Sequence, residues 1–223
     1  MKRTAKKKII IIFVICAAVI LGMFLYIIFR YQNTSPERLP GKYSQVIPQV
    51  HSMTDKDGDG IDDQADILQS ALDYIATKPK YKSKYYQTGY PDDGYGVCTD
   101  VVAFALKGAG YDLMPLVDED IRADQVSYNI AQPDKNIDFR RVRNLKVYFE
   151  HRAISLTTDL SEIEEWQGGD IVIFQDHIGI VSDRRNENGV PYVIHHNSPW
   201  QTKYEQDILE KREDLAGHYR ISQ

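Results

Sequence analysis

Cys98, His177 and His195 are the side chains whose types and order could carry out covalent chemistry. The chain has two cysteines, and Cys16 lies within a long apolar stretch near the N-terminus. Cys98 has no partner it could easily reach, and a free thiol in an oxidising compartment is a liability unless it is used. It also stands where a helix should begin. Gly94 and Gly96 precede it, Val101, Val102, Phe104, Ala105 and Leu106 follow it, and Gly108 and Gly110 close the segment. A cysteine in a first helical turn meets free backbone N–H groups and the positive end of the helix dipole, which favour thiolate and lower its pKa. The same N–H groups can form an oxyanion hole. The plainer alternative is a buried structural cysteine.

Two strand candidates bring histidines after it. Trp166, Gly168, Gly169 and Asp170 open an apolar run through Phe174, and His177 starts a second strand, His177 to Val181. Asn186 to Gly189 is a hairpin signal, leading into Val190 to Ile194 and then His195, His196, Asn197 and Ser198. Strand alternation puts His195 and Asn197 on one face and His196 on the other. An imidazole beside a thiol, oriented by a third polar side chain, is the arrangement nucleophilic cysteine catalysis requires. The histidine spacing fits no standard zinc motif.

A second constellation suggests a cation. Asp55, Asp57 and Asp59 take positions 1, 3 and 5 of an EF-hand-like loop spanning residues 55–66, with Gly60 at the turn. Ile61 would offer its carbonyl at position 7, Asp63 falls at 9 and Asp66 at 12. So many carboxylates repel one another unless a cation neutralises them. Asp at position 12 and Asp62 at position 8 depart from the usual pattern, so the loop looks more like those of extracellular calcium modules. There a structural Ca²⁺ at roughly 10⁻⁴–10⁻³ M affinity would suffice. The alternative is an Asp-rich turn that caps the next helix.

The elements that must position these groups can be read outward from them. Residues 1–8 are a basic cytoplasmic segment, with Lys2, Arg3, Lys6, Lys7 and Lys8, and residues 9–29 carry no charge. At ~1.5 Å per residue that stretch covers roughly 30 Å, a bilayer core. The positive flank places the N-terminus in the cytoplasm. A single-pass signal anchor is expected, with a cleaved signal peptide as the alternative; either way the remainder is exported. Residues 30–45, with Pro36, Pro40 and Gly41, read as a linker, and 46–223 as one extracytoplasmic domain. The chain's net charge of −5 becomes −11 over residues 31–223 once six N-terminal cations are set aside. That acidity argues against nucleic acid as a partner. Ile67, Leu68, Ala71, Leu72 and Ile75 form a helical stripe ended by Pro79. Tyr81, Tyr85, Tyr86, Tyr90 and Tyr95 fall in a loop, where they line a cleft or anchor the loop to the core. Arg140 or Arg141 could grip a peptide carboxylate bidentately, or belong to a structural ion-pair cluster. Leu145, Val147, Tyr148 and Phe149 mark an amphipathic helix after them.

Order and local motifs resemble papain-like cysteine hydrolases of the NlpC type, bacterial enzymes that cut peptidoglycan peptides. The residues that carry this are Tyr95 to Asp100, Gly169 to Phe174, His177 to Val181 and Ile194-His195. More closely, the chain is similar to the bacterial domain-of-unknown-function family 1287, the YijF-like proteins. That likeness rests on the 55–66 loop, Gly89-Tyr90-Pro91, Gly96 to Val101, Pro133 to Val142, Gly179 to Asp183 and Gly217 to Arg220. The resemblance implies an α+β papain-like domain, with helix 98–108 on a small antiparallel sheet built from 170–223. It implies Cys98 as nucleophile, His177 as general base and acid, and His195 as orienter, with no cofactor for catalysis. Tyr90, Asp100, Arg140 and Arg141 are the candidate substrate-binding residues. The expected activity is hydrolysis of an amide or peptide bond in cell-wall peptidoglycan, by a membrane-anchored enzyme. The alternatives are a non-catalytic, calcium-stabilised wall-binding module of the same fold, and a structural protein linked through Cys98.

Overall fold

A computed structural model describes residues 2–31, 43 and 46–223. The expected linker, 30–45, therefore falls largely outside the described residues. Helix α1, Lys2–Tyr31, forms one unit. Its stretch Lys6–Ile27 has the length and composition of a membrane anchor or a signal sequence.

The second unit mixes helix and sheet. Helix α2, Asp63–Ala76, is followed by two short strands, β1 (Lys80–Tyr81) and β2 (Tyr95–Gly96), which pair in parallel. Helix α3, Cys98–Gly108, begins at the cysteine, as the glycine-flanked motif predicts. Then come α4 (Leu113–Ala123), α5 (Gln125–Tyr128), a 3₁₀ turn at Asp138–Arg140, and α6 (Val142–Arg152). The strands that follow are β3 (Ile154–Ser155), β4 (Ile171–Phe174), β5 (Ile178–Arg185), β6 (Pro191–Ile194), β7 (Glu205–Gln206) and β8 (Leu215–Arg220). They form a six-stranded antiparallel sheet in the order β3-β8-β4-β5-β6-β7.

Strand alternation gives the sheet two buried faces. Ile171, Ile173, Ile178, Ile180 and Ile194 pack with α2, α3, α4 and α6 in one cluster. Val172, Phe174, Val181 and Val193 pack on the other face with Trp166, Val190 and Leu209. Because both sides are covered, β4 reads as a continuous apolar run rather than alternating with polar residues. Helix α2 is capped by Asp62, whose carboxylate accepts the backbone N–H groups of Ser52 and Ala65 at 3.0 and 3.3 Å. The aspartate at loop position 8 is thus the helix cap.

Candidate active site

Asp100 holds the start of α3 in place. Its Oδ2 accepts the Val97 N–H at 2.8 Å, and the Asp100 N–H donates to the Val97 carbonyl at 3.0 Å, which closes the turn carrying Cys98. Arg140 grips the same carboxylate through both Nε and Nη2, at 2.6 and 2.9 Å. Its Nη1 donates to the Lys84 carbonyl at 2.7 Å, and its guanidinium lies over the Tyr86 ring. The side chains of both partners are at most 2 % exposed. Asp100 and Arg140 therefore do not meet a substrate in this structure; together they fix where Cys98 stands. Tyr90 is likewise drawn into the core, packed on Phe104 and Phe139 with its hydroxyl donating to Asp112 at 2.7 Å. Of the four residues expected to bind substrate, only Arg141 keeps substantial exposure, 3.7 Å from Asp138.

His177 and His195 do come together. The His177 Nε2 lies 2.9 Å from His195 Nδ1, with the rings edge to face at 4.9 Å between centroids. Gly179 makes this possible. It stands between the two histidines, and a Cβ there would lie 2.5 Å from Val193 Cγ1, 2.8 Å from the Ile194 carbonyl and 3.2 Å from His195 Cβ. The far nitrogen of His195, Nε2, lies 2.9 Å from Gln206 Oε1 on β7. Sequence reasoning missed Gln206, since a lone glutamine in a two-residue strand carries no motif. Both imidazoles are buried, so desolvation holds them neutral. His177 falls to about 3, with Arg212 lowering it further and Asp214 and His196 acting as weaker neighbours. His195 is held well below the ordinary histidine value by burial and by His177.

Cys98 is a free, partly buried thiol at the first turn of α3, on the face of the sheet that Ile178 and His196 share, whereas His177 lies with Phe174 and His195 toward the other face. The Ile178 N–H, one residue beyond His177, hydrogen-bonds toward its sulfur, as do the N–H groups of Cys98 and Thr99. These donors favour thiolate, as a helix N-terminus should. Burial outweighs them and pushes the thiol up to about 11. The expected low-pKa thiolate is therefore corrected: desolvation of a compact anion costs more than three backbone donors return. His196 projects to the α3 side of the sheet, as Ile194 does. There it is buried against Tyr81 and Tyr204, at 5.2 and 5.0 Å between ring centroids, and burial lowers it to about 4. Burial raises the hydroxyl pKa of Tyr81, and the nearby Cys98 adds to that shift. Tyr81 thus lies near the thiol, with His196 against its ring.

The aspartate loop gathers only part of its expected set. Carboxylate oxygens of Asp55, Asp57 and Asp59 lie within 4.8 Å of one another. Burial raises Asp66 to about 6, and the charges of Asp59, Asp57 and Asp55 nearby add to the shift. Asp63 is corrected out of the set. It is fully buried, accepting the Lys56 N–H at 2.8 Å and the Tyr111 hydroxyl at 2.5 Å. Ile61, expected to offer its carbonyl, has an exposed side chain.

No solved structure matches the chain. Among curated proteins, the uncharacterized protein YijF of Escherichia coli (strain K12) is 35% identical over 167 residues, which span 69% of this chain and 80% of YijF. Residues 68–221, which include Cys98, His177, His195 and Gln206, match one family along their length. The chain belongs to the family described as Domain of unknown function (DUF1287).

Proposed function

We propose that this domain is an NlpC-type, papain-like cysteine hydrolase that cleaves an amide or peptide bond of cell-wall peptidoglycan outside the membrane. The observation that carries this reading is the hydrogen bond between His177 and His195, together with a free Cys98 at the first turn of α3 whose sulfur receives the N–H of Ile178, the residue after His177. A nucleophile, a base and an orienting group from three separate elements are what acyl transfer by a thiol needs. Thiol and imidazole both rest neutral, so the nucleophile forms on encounter with the substrate. His177 takes the Cys98 proton as sulfur bonds to the carbonyl carbon, and first-turn N–H groups steady the oxyanion. His177 then returns the proton to the leaving amine as the C–N bond breaks, giving a thioester. Water loses a proton to His177, attacks the thioester, and the Cys98 thiol is restored.

On this reading His177 is the general base and acid and His195 its orienter. Helix α1 is the anchor that holds the domain outside the membrane, with its basic end in the cytoplasm. The Asp55, Asp57 and Asp59 carboxylates offer hard oxygen ligands of the kind Ca²⁺ takes, with Asp66 beside them, and the ion would neutralise that loop. The partial burial of Cys98 counts against the reading in which it links two chains through a disulfide. The test is mass spectrometry of purified peptidoglycan incubated with the full-length protein. New peptide termini are expected, and none with Cys98→Ala. An unchanged polymer with both proteins, in a sample that still binds the wall, would favour the non-catalytic module.

A further inference from the structure

We propose that Gln206 sets the tautomers of His195 and His177, and so prepares the imidazole that the hydrolase reading assigns as the base for Cys98. This inference rests on the cysteine-hydrolase reading and extends it by one positioning residue. The amide oxygen of Gln206 lies 2.9 Å from His195 Nε2 and has no proton to give. It can only accept, so the proton of His195 sits on Nε2. A neutral imidazole carries a single N–H, so Nδ1 of His195 offers a lone pair. That lone pair lies 2.9 Å from His177 Nε2, which must therefore carry the proton of His177. Nδ1 of His177 is left with a free lone pair, the form a general base needs.

Burial makes this relay binding on each member. His195 and Gln206 are 1 % and 0 % exposed and His177 is 3 % exposed, so water cannot readily supply the missing acceptor or donor at either histidine. Gln206 also leaves its amide nitrogen buried without a hydrogen-bond partner. An apolar residue of similar size would avoid that unpaired donor, which argues that the oxygen is what the position retains. The charged and titratable groups around the pair are Arg212 and Asp214 from the segment before β8, Asp176 from the β4–β5 turn, and His196 from just after β6. Among these Arg212 disfavours protonation of both histidines, while Asp214 favours it at His177.

The experiment is ¹⁵N–¹H correlation NMR of ¹⁵N-histidine-labelled full-length protein in detergent, with Cys98 alkylation by iodoacetamide as a second readout. Both His177 and His195 should show the Nε2–H pattern in the unaltered protein. Gln206→Met removes the acceptor, and His177 should become a mixture of tautomers. Gln206→Glu keeps an acceptor and adds a charge, so the Nε2–H pattern should persist. The added charge should also speed alkylation at pH 7 by roughly tenfold, one pKa unit toward the imidazolium–thiolate pair. An Nδ1–H tautomer at His177 in the unaltered protein would overturn the proposal even if neither variant folds. So would unchanged tautomers in Gln206→Met, or melting-point losses in both variants with alkylation unaltered, since a structural role alone predicts that. If the tautomers respond as described but no wall polymer is cut, the hydrolase reading fails and the assignment of Gln206 stands.

Discussion

At the scale of single residues, the site is governed by desolvation. Cys98 rises to about 11 and His177 falls to about 3, so neither is charged at neutral pH. Iodoacetamide should therefore label Cys98 slowly at pH 7, more slowly than an ordinary thiol of pKa ~8.5. The rate should climb as pH rises through 9 to about 11. Labelling that is fast at pH 7 and slowed by His177→Ala would instead reveal a preformed ion pair. In the peptidoglycan assay, His195→Ala should lower turnover with little change in substrate affinity, because its contact is with His177 and not with sulfur. His196 lies on the Cys98 side of the sheet and beside Tyr81. An effect of His196→Ala should therefore appear in KM more than in kcat.

At the scale of elements, α3 and β5 meet at the site, and each is pinned by one feature. For α3 that feature is the buried Asp100–Arg140 pair. Removing one partner of such a pair leaves the other charged and unpaired in the interior, at a cost of about 3–5 kcal/mol. Arg140→Met should thus lower stability in urea unfolding by that amount and weaken activity indirectly, since Val97 loses the fixed acceptor that orders the turn before Cys98. A loss below about 1 kcal/mol would show that the pair does not hold the turn. For β5 the feature is Gly179, where any side chain would run into Val193 and the Ile194 backbone. Gly179→Ala should separate His177 from His195, and the loss of their hydrogen bond would be visible in the same histidine NMR spectrum.

For the whole molecule, three buried neutral histidines make stability depend on pH. Folded-state values below the ordinary ~6.5 mean that the unfolded chain binds protons first, so stability is present above ~6.5 and lost on acidification. The window runs from 6.5 down to about 3 for His177 and about 4 for His196, with His195 in the same direction. Each contributes up to about 1.4 kcal/mol per pH unit. Asp66 acts oppositely: raised from 3.8 to about 6, it favours the folded state in acid and loses that advantage as pH rises. Three groups outweigh one, and the melting temperature should fall steadily from pH 7 to pH 4. The proposed Ca²⁺ would act on Asp66 and its neighbours. Millimolar Ca²⁺ at pH 7 should raise the melting temperature by ligand linkage, and Asp57→Ala should remove the rise. Identical melting curves with calcium and with chelator would return the loop to its role as a helix-capping turn. Anchoring is tested by protease added to cells stripped of outer barriers: it should remove the chain beyond about residue 40, within the expected linker. A protected C-terminus would reverse the topology.

Local signals in the sequence determined the helix at Cys98, the strands that follow His177 and precede His195, the apolar N-terminal helix and the clustering of Asp55, Asp57 and Asp59. Each follows from glycine placement, strand alternation or hydrophobic run length, which act over a few residues. Alternation also put His195 and His196 on opposite faces. Tertiary structure alone decided which face meets α3, because that depends on how the sheet packs between two apolar clusters. It also decided that Asp100, Arg140, Tyr90 and Asp63 turn inward. Their partners, Lys84, Phe139, Asp112 and Tyr111, lie too far away in the chain for any local pattern to announce them. The reversal at Cys98 has the same origin. A helix start lowers a thiol's pKa through nearby N–H groups, while the opposing desolvation depends on everything folded around it, and here the surroundings prevail.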